Sequence, residues 1–221
     1  MRFGHIFSIA ALVACSLAAE LESSNSTVTD FSTTSTSTSG AGCPRFSPGP
    51  ISFSSLAAQF PAPSSVEVAA VEAIRQTLAI YAFAIDGRNF EALRKVFTTN
   101  TRANYSDPIG VLDGVQAIID TLPPGLAFFA STQHLYGSQA IYVCSPTSAV
   151  SVTYFQASHF FVPYTGIGNT IDNSQVLIDR AQYQDVWAKQ RDGTWKITNR
   201  NLVRMVSFFP CSRLWLCRLQ S

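Results

Sequence analysis

Two histidines, His134 and His159, are the residues of this 221-residue chain whose types and settings point to chemistry. The third, His5, falls in a stretch with the character of a cleaved leader. Histidine changes charge near neutral pH. Both His134 and His159 sit in segments rich in β-branched and aromatic residues, which predict strands. One acidic residue, Asp86, lies far upstream at the end of an amphipathic stretch. A carboxylate beside an imidazole fixes its tautomer and supports its positive charge. The three side chains together are the parts needed to move a proton inside a pocket, provided the fold brings them together. No CxxC pattern or His/Cys cluster has zinc-ligand spacing, so no metal site is expected.

The elements that must position these residues are legible from periodicity. Ser64 and Glu67 form a capping-box pattern. Val71, Ile74, Leu78, Tyr81 and Ile85 then recur every three or four residues, which predicts an amphipathic helix ending at Gly87. Asp86 is then in the last turn, where a carboxylate opposes the helix dipole and requires a local reason. A second short helix is expected on Phe90, Leu93, Val96 and Phe97, and a third from Gly114 to Leu122, ended by Pro123 and Pro124. Residues 101–105 read as extended. Strands are expected over 131–143, 148–162, 175–190 and 194–206, with Asp192-Gly193 as the hairpin turn between the last two. Alternation puts His159 on one face with Phe155, Ala157 and Phe161, and turns Ser158 away from them. Helices first and long antiparallel strands afterwards imply an α+β class.

Composition bounds the rest. Hydrophobic residues make up 47% and charged residues 13%, enough apolar material for one folded domain. The net charge of +1, with scattered basic residues, gives no reason to expect a nucleic-acid partner. Residues 1–19 read as a signal peptide: a basic start, an apolar run too short to span a bilayer, and small residues at Ala18 and Ala19. The expected location is extracellular, with no membrane attachment after cleavage. Residues 20–63 read as a disordered linker. Thirteen of the seventeen residues from Ser23 to Ser39 are Ser or Thr, and prolines follow, so this stretch has little apolar surface to bury. The domain is expected over 64–206, followed by an irregular tail over 207–221. Without Cys15 of the leader, Cys43, Cys144, Cys211 and Cys217 permit two disulfides in any of three pairings. Asn25 and Asn104 stand in glycosylation sequons.

The stretch YAFAIDGRNFEALRKVF (81–97) resembles the opening of SnoaL-like domains of the nuclear-transport-factor-2-like superfamily. In order along the chain, Asp86 in IDGRNFEALRKV, Tyr105 in ANYSD, His134 in STQHLYG, His159 in QASHF and then DVWAKQRDGTWK are similar to fungal scytalone dehydratases. The resemblance spans Val68 to Met205. It implies a cone-like α+β barrel, with three helices packed in a strongly curved, mixed but mainly antiparallel sheet around a pocket. It implies that Asp86 pairs with His159, that His134 faces the same pocket as the freer base, and that Tyr105 polarises a substrate carbonyl. Ile85 stands where the dehydratases carry a second pocket tyrosine, and Gln182 and Gln184 fall near their pocket serine and asparagine.

The pocket expected from these readings is lined by Ile85, Phe129, Phe155, Phe161, Gln182 and Gln184, with Phe128 and Phe160 as further apolar candidates. Its contents suit a small, hydrophobic carbonyl or polyketide-type compound. The function that the resemblance implies is a cofactor-free acid–base catalyst, a dehydratase-like lyase or an isomerase. The alternatives are a binding or dimerisation module of the same fold, and a polyketide cyclase relying on Asp86. Assembly into a homo-oligomer is a further implication of the resemblance.

Overall fold

In a computed structural model, described over residues 43–61, 67–161 and 176–205, the chain builds one mixed sheet, with two longer helices and a 3-10 helix packed on its inner face and a short first helix on its outer face. The helices are α1 (Phe53–Gln59), α2 (Val68–Asp86) and α3 (Val115–Leu126), with a 3-10 helix at Phe90–Lys95. The strands are β1 (Phe97–Asn104), β2 (Val111–Asp113), β3 (Phe129–Ser145), β4 (Ser148–Phe161), β5 (Val176–Lys189) and β6 (Trp195–Arg204). They pair in the order β2-β1-β6-β5-β4-β3, and only β1 and β6 run parallel. The expected α+β class and mainly antiparallel mixed sheet are both present.

Sequence periodicity accounts for most of the helices. The apolar stripe of α2 buries Ile74, Leu78, Tyr81 and Ile85 against Leu93, Val96 and Phe97. Although α2 is long and apolar enough to cross a membrane, this stripe is core rather than lipid-facing surface. Glu67 is its N-cap and makes no side-chain cap bond; Ser64 lies outside the described residues. The third helix continues through Pro123 and Pro124 to Leu126 instead of ending before them. Proline fixes φ at a helical value, and the helix keeps its register because Val115, Ile118, Ile119 and Leu122 anchor it in the core. Trp187 and Trp195 join that core.

Curvature comes from irregular pairing. The β3–β4 register shifts between Phe129 and Ser131, between Tyr136 and Gln139, and between Val143 and Ser145. A bulge inserts a residue and bends the strand. It also exchanges faces: Tyr136 packs inward before the second shift and Ile141 after it, which turns Tyr142 and Cys144 outward.

The outer face of the sheet corrects the expected linker. Residues 43–61 are ordered and packed as a strap, not disordered. Phe46 and Leu56 bury against Val150 and Val152. Asn199 and Asn201 both donate side-chain amides to the Phe46 carbonyl, and Gln184 exchanges two hydrogen bonds with the Ile51 main chain. A disulfide joins Cys43 to Cys144. Apolar anchors interspersed among the prolines supply the burial that the Ser/Thr stretch lacks. The expected signal peptide, the Ser/Thr stretch, Asn25, Cys211, Cys217 and the 207–221 tail lie outside the described residues. The bridge closes a loop with a sequence separation of 101, and cross-links of that span constrain the unfolded chain. A Cys43→Ser/Cys144→Ser variant is expected to lose about 2–4 kcal/mol of stability, read from urea unfolding under non-reducing conditions.

Candidate active site

The C-terminal end of α2 delivers Asp86 to the edge of a cavity inside the sheet. The helix stops in a Schellman arrangement: Arg88 N–H donates to Ile85 O and Asn89 N–H to Ala84 O. Gly87 is required, because a Cβ there would lie 2.8 Å from the Phe83 carbonyl oxygen. The left-handed residue is Arg88, at φ 56°, rather than the glycine. Its guanidinium compensates by donating to Ile85 O and to Thr132 Oγ1, both at 2.9 Å. The chain thus leaves α2 along a fixed path, and the carboxylate just before it is held against β3.

Three groups on β3 hold that carboxylate. Thr132 donates its hydroxyl to Asp86 Oδ1 at 2.9 Å, and the His134 main-chain N–H donates to Oδ2 at 2.8 Å. His134 Nδ1 lies 2.7 Å from Oδ1. Burial raises the Asp86 carboxyl, but the His134 ring and N–H and the Thr132 hydroxyl outweigh it and hold the group below its ordinary range. This is the local reason for an acid at a helix C-terminus.

The expected Asp86–His159 pair is therefore replaced by an Asp86–His134 pair. The register explains the exchange. His159 lies opposite Thr132 on β4, one strand further from α2, while Thr132 and His134 occupy the strand that α2 meets. The two imidazoles still face one cavity, with ring centroids 6.4 Å apart. Burial, then the nearby His134, pushes the His159 ring below its ordinary value, against smaller raising effects from the Leu177 main chain and Asp179. His159 is thus the neutral imidazole, not the charged partner of a carboxylate.

The cavity encloses about 290 Å³ and is mainly apolar. Ile85, Phe129 and Phe155 line it as expected, together with Tyr105, His134 and His159. Phe161 stands behind Phe129, at 5.0 Å between ring centroids, and does not line the cavity. Phe128 is exposed on the surface, and neither it nor Phe160 reaches the cavity.

The sequence profile of the SnoaL-like domain family matches residues 66–201, more than half of the chain. The chain belongs to that family. Its fold is shared with a candidate scytalone dehydratase from Novosphingobium aromaticivorans, at 24% identity over 63% of this chain and 86% of the other, with a TM-score of 0.54. It is shared equally with a hexachlorocyclohexane dehydrochlorinase, at 16% identity over 63% and 87%, TM-score 0.51. A nuclear transport factor 2-like protein from Salmonella enterica aligns over 67% of this chain and all of its own length, at 16% identity and a TM-score of 0.53. No curated protein matches the sequence.

In this SnoaL-like domain, Gln182 and Gln184 are not pocket residues. Both are fully buried on the other side of β5, where Gln184 holds the strap. Strand alternation places Tyr183 inward between them, and Tyr183 lines the cavity, stacked on Phe155 at 4.2 Å. The missing signal was parity: Ala181, Tyr183 and Trp187 all belong to the inner core. Tyr81 also lines the cavity, one helical turn before Ile85, and its hydroxyl lies 3.3 Å from that of Tyr105. Its place in the α2 stripe made it look like core alone. Burial raises Tyr105 well above the ordinary phenol value, so it is a neutral hydrogen-bond donor at neutral pH.

Two depressed groups set a pH response. His159 titrates below its ordinary 6.5, so its stabilising contribution is complete above that value and is lost as pH falls through the folded value. Asp86 titrates below its ordinary 3.8 and behaves likewise at lower pH. The urea midpoint is expected to fall in two stages on acidification, and His159→Phe is expected to abolish the upper one. An unchanged upper stage in that variant would assign it elsewhere.

Proposed function

We propose that this SnoaL-like domain is a cofactor-free acid–base catalyst, a lyase of the dehydratase type or an isomerase, acting on a small hydrophobic carbonyl compound. The observation that carries the reading is the Asp86–His134 pair at the wall of an apolar cavity. With Nδ1 engaged by the carboxylate, the His134 Nε2 is the basic nitrogen. Two structural neighbours bear names of elimination enzymes, in keeping with this reading, but the dyad geometry supports it without them.

The chemistry proceeds as a proton relay through one imidazole. Nε2 of His134 takes a proton from the carbon next to the substrate carbonyl, and Asp86 stabilises the resulting imidazolium. The electron pair of the C–H bond moves into an enolate, whose oxygen receives a hydrogen bond from the Tyr105 hydroxyl. In elimination, the enolate expels a hydroxyl from the neighbouring carbon, and the imidazolium returns its proton to that oxygen to give water. In isomerisation, the proton returns to a different carbon. Neutral His159 hydrogen-bonds the substrate from the facing strand. A plain binding module has no need of a carboxylate fixed on Nδ1, so this bond favours catalysis over carriage. The leader-like sequence of residues 1–19 supports action outside the cell.

The test is solvent deuterium exchange and water loss across a panel of small cyclic β-hydroxy ketones, followed by mass spectrometry and absorbance. The wild type is expected to exchange or eliminate with at least one member, and His134→Gln to do neither. Equal rates in the two proteins would end the catalytic reading.

A further inference from the structure

Beneath the cavity lies an ion pair that the proton relay does not use. Asp185 on β5 and Arg200 on β6 are fully buried and joined by two hydrogen bonds, Nε to Oδ1 at 2.7 Å and Nη2 to Oδ2 at 2.8 Å. Such a pair is costly to desolvate, and apolar residues of the same volume serve stability as well or better. Its surroundings are also unusual. The guanidinium carbon sits 3.9 Å from the centroid of the Tyr183 ring and 4.3 Å from that of Tyr81. Phe97 is at 5.3 Å. Nη1 is buried without a hydrogen-bond partner among the described residues, and so is the Tyr136 hydroxyl. Four tyrosines from four parts of the fold, Tyr81 on α2, Tyr105 after β1, Tyr136 on β3 and Tyr183 on β5, thus surround one cation. Of these, Tyr81, Tyr105 and Tyr183 line the cavity.

We infer that Arg200, fixed by Asp185, is a positioning residue that polarises the paired hydroxyls of Tyr81 and Tyr105 into a site for a substrate oxyanion. The inference deepens the proposed function, on which it rests. A cation behind the face of a phenol ring is held by the ring's negative face and draws electron density from the hydroxyl, making it a stronger donor. The 3.3 Å contact between the two hydroxyls allows one oxygen atom to accept from both. Asp185 does not cancel the effect: at Tyr105 the influence of Arg200 exceeds that of Asp185. The substrate class this site takes is a compound whose reacting carbonyl becomes an enolate or phenolate of about one ring's size.

The experiment uses para-nitrophenol, whose anion absorbs in the visible, bound to the full chain in a His134→Gln background so that no imidazolium of the dyad contributes. The ratio of anion to neutral phenol affinity is read from absorbance across pH. The parent protein is expected to favour the anion, and Arg200→Met/Asp185→Leu to lower that preference roughly tenfold, the scale of one charge-assisted hydrogen bond. Tyr81→Phe and Tyr105→Phe, which remove only a hydroxyl, are each expected to lower it too. Unchanged preference in the phenylalanine variants, preference for the neutral phenol, or no binding by the parent each overturns the inference. This readout involves no proton abstraction from carbon, so it can fail while the His134 turnover test succeeds, and the reverse.

Discussion

Asp86→Asn is expected to lower kcat of the proton-transfer reaction by about 10²–10⁴-fold, close to the loss in His134→Gln. The argument is one of tautomers. The carboxylate oxygen Oδ1 accepts from His134 Nδ1, which leaves Nε2 unprotonated and basic. An amide turned to keep the main-chain His134 bond at Oδ2 presents an N–H to the ring instead, and the imidazole then carries its proton on Nε2. The base is lost although every side chain remains in place. Stability should fall by less than when a fully buried pair is broken, because the Asp86 side chain keeps 24% of its surface exposed, although that of His134 keeps only 6%. His159→Gln is expected to lower kcat by only about tenfold, since no carboxylate among the described residues is hydrogen-bonded to its ring. Steady-state kinetics of the three variants decide the order; a larger loss in His159→Gln than in His134→Gln would reverse the assignment.

The second large effect concerns stability. Arg200→Met alone is expected to cost about 3–5 kcal/mol, because it leaves the Asp185 carboxylate buried without its partner. The carboxyl has two ways to respond, both unfavourable: remain charged in an apolar setting, or take up a proton at neutral pH. Burial already pushes it upward against the lowering effect of Arg200. Arg200→Met/Asp185→Leu should recover most of the loss, since both desolvation penalties disappear together. Urea unfolding of the two single variants and the double variant gives the coupling directly. Equal stability of Arg200→Met and the wild type would show that Asp185 finds another partner.

How far the sequence could be read follows from which interactions are local. The α2 stripe, the strands and the Asp192-Gly193 turn are set by residues a few positions apart, and they appear where periodicity places them. The inward face of β4 is equally local, so His159, Ala157 and Phe155 share the cavity as expected. Parity fails where the chain departs from regular pairing. The bulge after Tyr136 exchanges the faces of β3 and aims Cys144 at the strap. On β5 the readings of Gln182 and Gln184 took the wrong face, although alternation from Trp187 pointed to Tyr183. The strap was hidden by its composition: prolines and serines dominate residues 43–61, and Phe46 is an anchor only because Val150 and Val152 lie beneath it.

The sequence by itself determined the family, the class of fold and the inventory of proton-transfer groups, because hydrophobic period and residue type are properties of the chain. Only the tertiary structure decided the pairing. Asp86 binds His134 rather than His159 because α2 ends against β3, and β4 lies one strand beyond its reach. It also brought Tyr81 and Tyr105 together at the cavity wall, with Arg200 against the Tyr81 ring, from positions up to 119 residues apart. No local pattern records such distances, because they depend on strand order and register, which are fixed only when the sheet closes around the helices.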